Sequence, residues 1–277
     1  MRFIRCFRHD CVHGIVKGGL CFAAAAAASA LFCVSFYMRA SALAGGTPSL
    51  CMMDYVIALF GGMKEYVPSP TDPFLFPAEW MILVGFGSLI TLRYPFFDMD
   101  NYGARVLLQS GKRSRWWLSK CLWLFVKTVL YYSVIYGTVL VCCLSFGGTV
   151  KGAPDGLWIE AFFVIDKEML PVSGPPVLMM LMPVLLTLTL NYIQMVLCMI
   201  IGEVFAFCGV LVYLIASIYL SHPLLLGGSA LLVRSGLLVK DGMPSVSAIG
   251  AEAVLIILAV AAGLVMFGKK DILKKED

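Results

Sequence analysis

Few residues in this chain could carry out chemistry, and those that could fall into three groups. The first is thiols and imidazoles: ten cysteines, at 6, 11, 21, 33, 51, 121, 142, 143, 198 and 208, with His9, His13 and His222. No pair of CxxC motifs occurs, so neither a zinc ribbon nor a redox motif is written. Most of the cysteines lie in apolar runs, where the thiol behaves as a small hydrophobe. Cys6, His9, Cys11 and His13 come nearest to a metal-ligand set, but on a helix His9 and His13 share a face that Cys11 leaves. The second group concerns phosphate. Gly111-Lys112 looks like the end of a phosphate loop, yet Val106 stands where GxxxxGK[ST] needs its first glycine and Arg113 follows the lysine. If ATP is used, another chain must bind it. This chain is expected to be no enzyme, with no catalytic, metal or cofactor residues of its own. The third group is Thr187, Asn191 and Gln194, a polar stripe at i, i+4 and i+7 on an apolar helix. Such a stripe either glues helices together or lines a pathway.

The elements that position these residues follow from composition. Sixty per cent of residues are hydrophobic and 14% are charged, against about 25% charged in soluble domains. The apolar excess must face lipid. An apolar run of about 20 residues crosses a bilayer as a helix, and six runs qualify, at about 15–38, 78–94, 117–146, 177–201, 204–220 and 249–267. The fourth and fifth meet at Gly202-Glu203, read as a tight turn. The basic start, apolar run and Ala28-Ser29-Ala30 or Ala42-Leu43-Ala44 also resemble a secretory signal. The run is longer than a usual signal core, so an uncleaved first span is expected. The fold class is therefore an all-α integral membrane protein, a single transmembrane domain over 1–277.

Lys and Arg in the loops orient it. Arg2, Arg5, Arg8, Lys17, Arg93, Arg105, Lys112, Arg113, Arg115, Lys120, Lys269, Lys270, Lys274 and Lys275 flank one side. They outnumber Arg39, Lys64, Lys151, Lys167, Arg234 and Lys240 on the other. Both termini are thus expected in the cytoplasm of a multi-pass protein of the plasma or inner membrane. The outer side collects acid, including Asp54, Glu65, Glu79, Glu160 and Glu252. Within the spans, Lys127 lies close enough to the inner interface to snorkel, and Glu203 sits at the turn. Ion-coupled carriers place carboxylates or histidines at mid-membrane, and their scarcity here argues against ion coupling and against intramembrane hydrolysis. The net charge of +4 is modest, and no nucleic-acid partner is expected.

Residues 2–16 have helical periodicity. Phe3, Ile4, Phe7, Cys11 and Ile15 fall in one arc, with Arg2, Arg5, His9 and His13 opposite. This predicts an amphipathic helix in the bilayer interface, its cations toward anionic headgroups. The loop 95–116 opens with Asp98 and Asp100, has a short helical stretch at Arg105–Gln109, and continues into the basic cluster Lys112, Arg113 and Arg115. Trp116 and Trp117 are expected at headgroup level. The loop reads either as a plain positive-inside loop or as a docking element for a cytoplasmic partner. Residues 221–247 are apolar but broken by Pro223, Gly227-Gly228, Gly236 and Gly242, which suggests a re-entrant piece needing protein cover. The loops 38–77 and 147–176 carry no assignable role.

These features together resemble membrane subunits of type 2 ATP-binding-cassette (ABC) exporters, in the bacterial group with separate ATPase and permease chains. The resemblance rests on Tyr94-Pro95, Asp98 and Gly103, on Ser110 to Lys120, on the ending Phe267-Gly268-Lys269-Lys270-Asp271-Ile272-Leu273, and on Asp54 to Gly62 closed by Gly61-Gly62. It implies that the N-terminal helix with Arg2, Arg5 and Arg8 is a connector helix. The loop with Asp98, Asp100, Arg105, Lys112, Arg113 and Arg115 would couple to a cytoplasmic ATPase holding ATP-Mg. A second permease chain, identical or related, would complete the pathway. The competing expectation is a non-transporting membrane partner, an immunity, sensor or scaffold subunit that uses the same loop.

Overall fold

The computed structural model describes residues 2–16, 18–65, 76–95, 113–151, 154, 156–163, 165, 175–222, 225–240 and 242–269. Among them every regular element is a helix apart from two isolated bridges. The elements are α1 (Arg2–Cys11), α2 (Gly19–Ala44), α3 (Met52–Phe60), α4 (Ala78–Leu92), α5 (Arg113–Ser145), α6 (Gly156–Phe163), α7 (Pro176–Ile201), α8 (Glu203–Tyr219), α9 (Gly227–Ala230) and α10 (Ser245–Lys269). A π-helical turn, Val12–Val16, joins α1 to α2.

Four helices, α2, α5, α7 and α10, are long and apolar enough to cross a membrane, and they mark the chain as membrane-embedded. The helices α4 and α8 are apolar but shorter, at 15 and 17 residues. The first long helix starts at Gly19, later than the sequence suggests, and runs on to Ala44. The fifth, α5, begins at Arg113, so the loop before it ends there rather than at 116.

Side-chain pairs fix the relative direction of these helices. The central pair, α5 and α7, is antiparallel. Tyr192 donates to the Cys121 carbonyl (2.9 Å), Asn191 to Thr128 Oγ1 (3.2 Å) and Tyr136 to the Met180 carbonyl (2.5 Å), while Tyr132 and Thr187 share a hydroxyl bond at 2.6 Å. On one side α4 lies antiparallel to α5, with Lys127 donating to the Ile90 carbonyl (2.7 Å) and Tyr131 to that of Leu83 (2.7 Å). On the other side α10 also runs antiparallel to α5. Trp117 Nε1 donates to the Val260 carbonyl (3.1 Å), and Arg113 Nη1 to that of Gly268 (2.9 Å). The first long helix runs parallel to α5, with Cys33 beside Cys142 and Tyr37 stacked on Phe146. It approaches through Ala25, Ser29, Cys33, Phe36 and Ala40, a buried stripe at helical spacing whose small members allow close contact. The chain reverses from α7 into α8 at Gly202, whose φ of 83° suits glycine. Six apolar helices therefore alternate in direction.

The bundle has two unlike ends. One gathers α1, the starts of α2 and α5 and the finish of α10; we call it the basic end. At the other, the cap end, α3, α6 and residues 225–240, 242 and 243 fold over the helix termini. Parallel bridges close the cap. Met52 N–H bonds to Thr149 O (2.9 Å) and Thr149 N–H to Leu50 O (3.0 Å), while Gly236 N–H reaches Met243 O (2.9 Å). Asp54 reaches back to the Cys51 N–H (2.7 Å) and starts α3. Burial, aided by the charge of Asp54, pushes the Cys51 thiol up to about 11.

Trp116 and Trp117 lie inside the protein. Both are buried, Trp116 stacking on Phe267 at 4.6 Å. A Cβ on Gly263 would run into the Trp117 ring, so α10 can seat only because residue 263 has none. Gly263→Ala is expected to cost about 1–3 kcal/mol through overpacking, read as an earlier midpoint of denaturant unfolding in detergent.

Candidate functional site

The basic end is organised by one buried ion pair. Asp10 on α1 and Lys120 on α5 are 1% and 0% exposed, and Nζ meets Oδ1 at 2.5 Å. Ser119 Oγ donates to Oδ2 at 2.5 Å and Tyr94 OH to Oδ1 at 3.1 Å. The Lys120 ammonium also lies over the rings of Tyr94 (4.5 Å) and Trp116 (5.1 Å), a cation–π setting strengthened by desolvation. A buried charge without such partners would be unsustainable, so each group here depends on the others.

Local sequence explains the seat of α1. Cys6, Asp10 and Gly14 recur at intervals of four and are all buried. At Gly14 the backbone is so close to the Trp123 indole that a Cβ would overlap it. The inward face of α1 thus lies between the two arcs legible in the sequence, because Asp10 belongs to neither and turns to Lys120. Arg5 and Arg8 stay exposed, as do Ile4 and Val12. The rings of His9 and His13 stack at 4.2 Å. Among the described residues no group of three or more His, Cys, Asp or Glu could hold a metal ion.

The other candidate residues distribute as follows. The Arg2 side chain, Asp98, Asp100, Arg105, Lys112 and the stretch Arg105–Gln109 lie outside the described residues. Arg113 sits on the first turn of α5 and ties it to the end of α10 through the Gly268 carbonyl. Arg115 is half-buried on the same turn. Lys120, counted by sequence among the cytoplasmic loop charges, is instead a core residue of α5. Lys127 does not snorkel; it is 4% exposed, donates to the Ile90 carbonyl and lies over the Trp123 ring at 4.9 Å.

The stripe Thr187, Asn191 and Gln194 is buried where α4, α5 and α7 meet. Gln194 Nε2 donates to the Ser88 carbonyl on α4 (3.1 Å), while Asn191 and Thr187 turn to α5. Ser88 Oγ, Asn191 Oδ1 and Gln194 Oε1 remain without a partner. Glu252, counted by sequence among the outer acids, is fully buried on α10 with both carboxyl oxygens unpartnered. The α10 span is therefore not free of ionisable groups. At the cap end Arg234 is buried and bonded to four carbonyls. Burial draws its guanidinium below the ordinary value, with Glu65 pulling the other way.

Asp10 was not singled out by sequence; Tyr94 and Ser119 entered only within the stretches that carry the resemblance, and Arg234 only in the charge count. For Asp10 a signal existed: it is the one acid in an otherwise basic N-terminal helix.

Residues 28–273 match the model of a family described as a protein of unknown function, DUF2705. The chain belongs to this family. The match begins within α2 and takes in every later helix, so the stripe, α3 and Arg234 fall inside it, while α1 and Asp10 precede it. No curated protein matches the chain.

The latch between α1 and α5 makes a double-mutant prediction. Asp10→Leu or Lys120→Met alone leaves a buried charge unpaired and is expected to cost about 3–5 kcal/mol. The double substitution removes both charges and should recover most of that loss in denaturant unfolding.

Proposed function

We propose that the chain is the membrane-spanning permease subunit of an ABC exporter, forming half of a translocation pathway and docking a separate ATPase at its basic end. On this reading all six alternating helices cross the cell membrane and both termini are cytoplasmic. The basic residues Arg5, Arg8, Arg93, Arg113 and Arg115 then gather on one side, as the positive-inside rule requires. The observation that carries the reading is mechanical. Through Asp10–Lys120 and Arg113–Gly268, α1, the start of α5 and the end of α10 form one unit at the end of the loop 96–112. A push on that loop from a nucleotide-driven partner would move three helices together. The chain does no chemistry itself; a partner ATPase binds ATP-Mg, and a second permease chain supplies the other half.

The test is co-expression with the cognate ATPase. A stable complex with vanadate-sensitive ATPase activity is expected. Arg113→Glu with Arg115→Glu should weaken docking by roughly tenfold, about 1.4 kcal/mol. Unchanged complex yield and activity in that variant would remove the docking assignment. A complex that forms but moves no cargo in ATP-loaded proteoliposomes would make the chain a non-transporting immunity, sensor or scaffold subunit.

A further inference from the structure

The helix α3 is only nine residues long, yet Met53 to Ile57, Leu59 and Phe60 are all buried. A short helix outside the long bundle reaches that degree of burial only by filling a space. The space is a step at the cap end: α2 and α5 run on beyond the ends of the shorter α4 and α8, and α3 packs into the recess. Its Tyr55 meets Phe36 of α2 edge-on at 5.3 Å and lies within electrostatic reach of the thiols of Cys33 and Cys143. Its Phe60 rests on the rings of Tyr132 (5.8 Å) and Tyr136 (5.9 Å) of α5. Tyr132 in turn bonds to Thr187, the first member of the buried stripe that continues through Asn191 and Gln194. An apolar helix therefore sits over a column of neutral polar groups, three of whose side-chain atoms have no partner.

Arg234 grips the chain leaving α3. Arg234 Nε donates to Met63 O (2.9 Å) and Nη2 to Lys64 O (3.0 Å), gripping the strap 61–65. The same guanidinium reaches Ser217 O (3.1 Å) and Ile218 O (2.6 Å) in the last turn of α8. Those carbonyls are the unsatisfied end of a helix, where a cation is favoured. Planarity lets Arg span both targets at once, which a lysine could not. Beside it, Val233 N–H bonds to Gly61 O (3.1 Å). Gly62 takes a φ of 78° with Leu231 packed where a Cβ would stand.

We propose that α3 is a removable stopper in the cap-end mouth of the bundle and that Arg234 is the latch that keeps it seated. Withdrawing α3 uncovers Tyr132 and the polar stripe beneath it; re-forming the four guanidinium bonds closes the mouth. The helix itself is seated by packing, through Tyr55 and Phe60, but the grip of Arg234 on the strap is made of hydrogen bonds to backbone carbonyls, which water can replace. That is the property a reversible closure needs. The proposal stands on packing alone and does not rest on an ATPase partner, so its failure and that of the exporter reading are separable.

The test uses the full-length chain in lipid nanodiscs, where both faces are open to reagent. A hydrophilic, charged maleimide is added and labelling is followed at each native cysteine by mass spectrometry. Cys33 and Cys143, both 0% exposed beside Tyr55, report on the stopper; Cys121, buried at the basic end, reports on the bundle. Two variants release the strap from opposite sides: Arg234→Ala removes the latch, and Gly62→Ala forces a strained φ and a clash with Leu231. Labelling of Cys33 and Cys143 is expected to rise by at least roughly tenfold, the effect of losing several charge-assisted bonds, with Cys121 unchanged. A rise confined to those two thiols in either variant supports the latch. No rise in either, or a rise matched by Cys121 in both, overturns it.

Discussion

The seam between α5 and α7 is the contact on which the rest of the bundle depends. Hydrogen bonds run along it from Cys121–Tyr192 through Thr128–Asn191 and Tyr132–Thr187 to Tyr136–Met180. In a medium without water each of these polar groups must find its partner inside the protein, and only one register of two antiparallel helices lets all four meet. Lipid tails are as apolar as leucine, so hydrophobicity alone does not hold two such helices together. Once the register is set, α4 can hang its Ile90 and Leu83 carbonyls on Lys127 and Tyr131. On the opposite side α10 can close on Trp117 through Gly263.

The two ends use charge differently. At the basic end an ion pair, Asp10–Lys120, is fully internal, so it fixes α1 against α5 while Arg5 and Arg8 stay exposed. At the cap end Arg234 has carbonyls as its hydrogen-bond partners and ties loop to helix terminus. The first arrangement is costly to break, because both charges would be stranded. The second separates one guanidinium from backbone carbonyls, and water can take the place of both once the mouth is open. The contrast agrees with the proposed division of labour, a rigid lever at one end and a closure that can open at the other.

The apolar bundle helices were legible in the sequence because lipid demands long apolar runs, and the reversal between α7 and α8 from its Gly202-Glu203 turn signal; α3 and α6, in loops to which the sequence assigned no role, were not. The stripe of Thr187, Asn191 and Gln194 was legible from spacing alone. Its partners were not, since Thr128, Tyr132 and Ser88 lie on other helices and no local pattern points to them. Lys120 shows the same limit in reverse. Counting it as a loop cation was reasonable from its neighbours, but α5 extends back to Arg113 and carries it into the core. Glu252 was misplaced because an acid near a span boundary is counted with the nearer loop. Trp116 and Trp117 were expected at headgroup level from residue type, but no local pattern shows that their rings pack inside the protein against Phe267 and Gly263, far along the chain.

What the sequence alone determined is what depends on one residue's neighbours along the chain: apolar length, helical period, turn glycines and the uneven spread of Lys and Arg. These act locally, or by summation, and need no knowledge of which helix touches which. Only the tertiary structure decided where each buried polar group is satisfied. Asp10 finds Lys120 across 110 positions, and Arg234 finds Met63 across 171. Those pairings exist because the bundle brings the groups into a place with no water, and no stretch of sequence records that place.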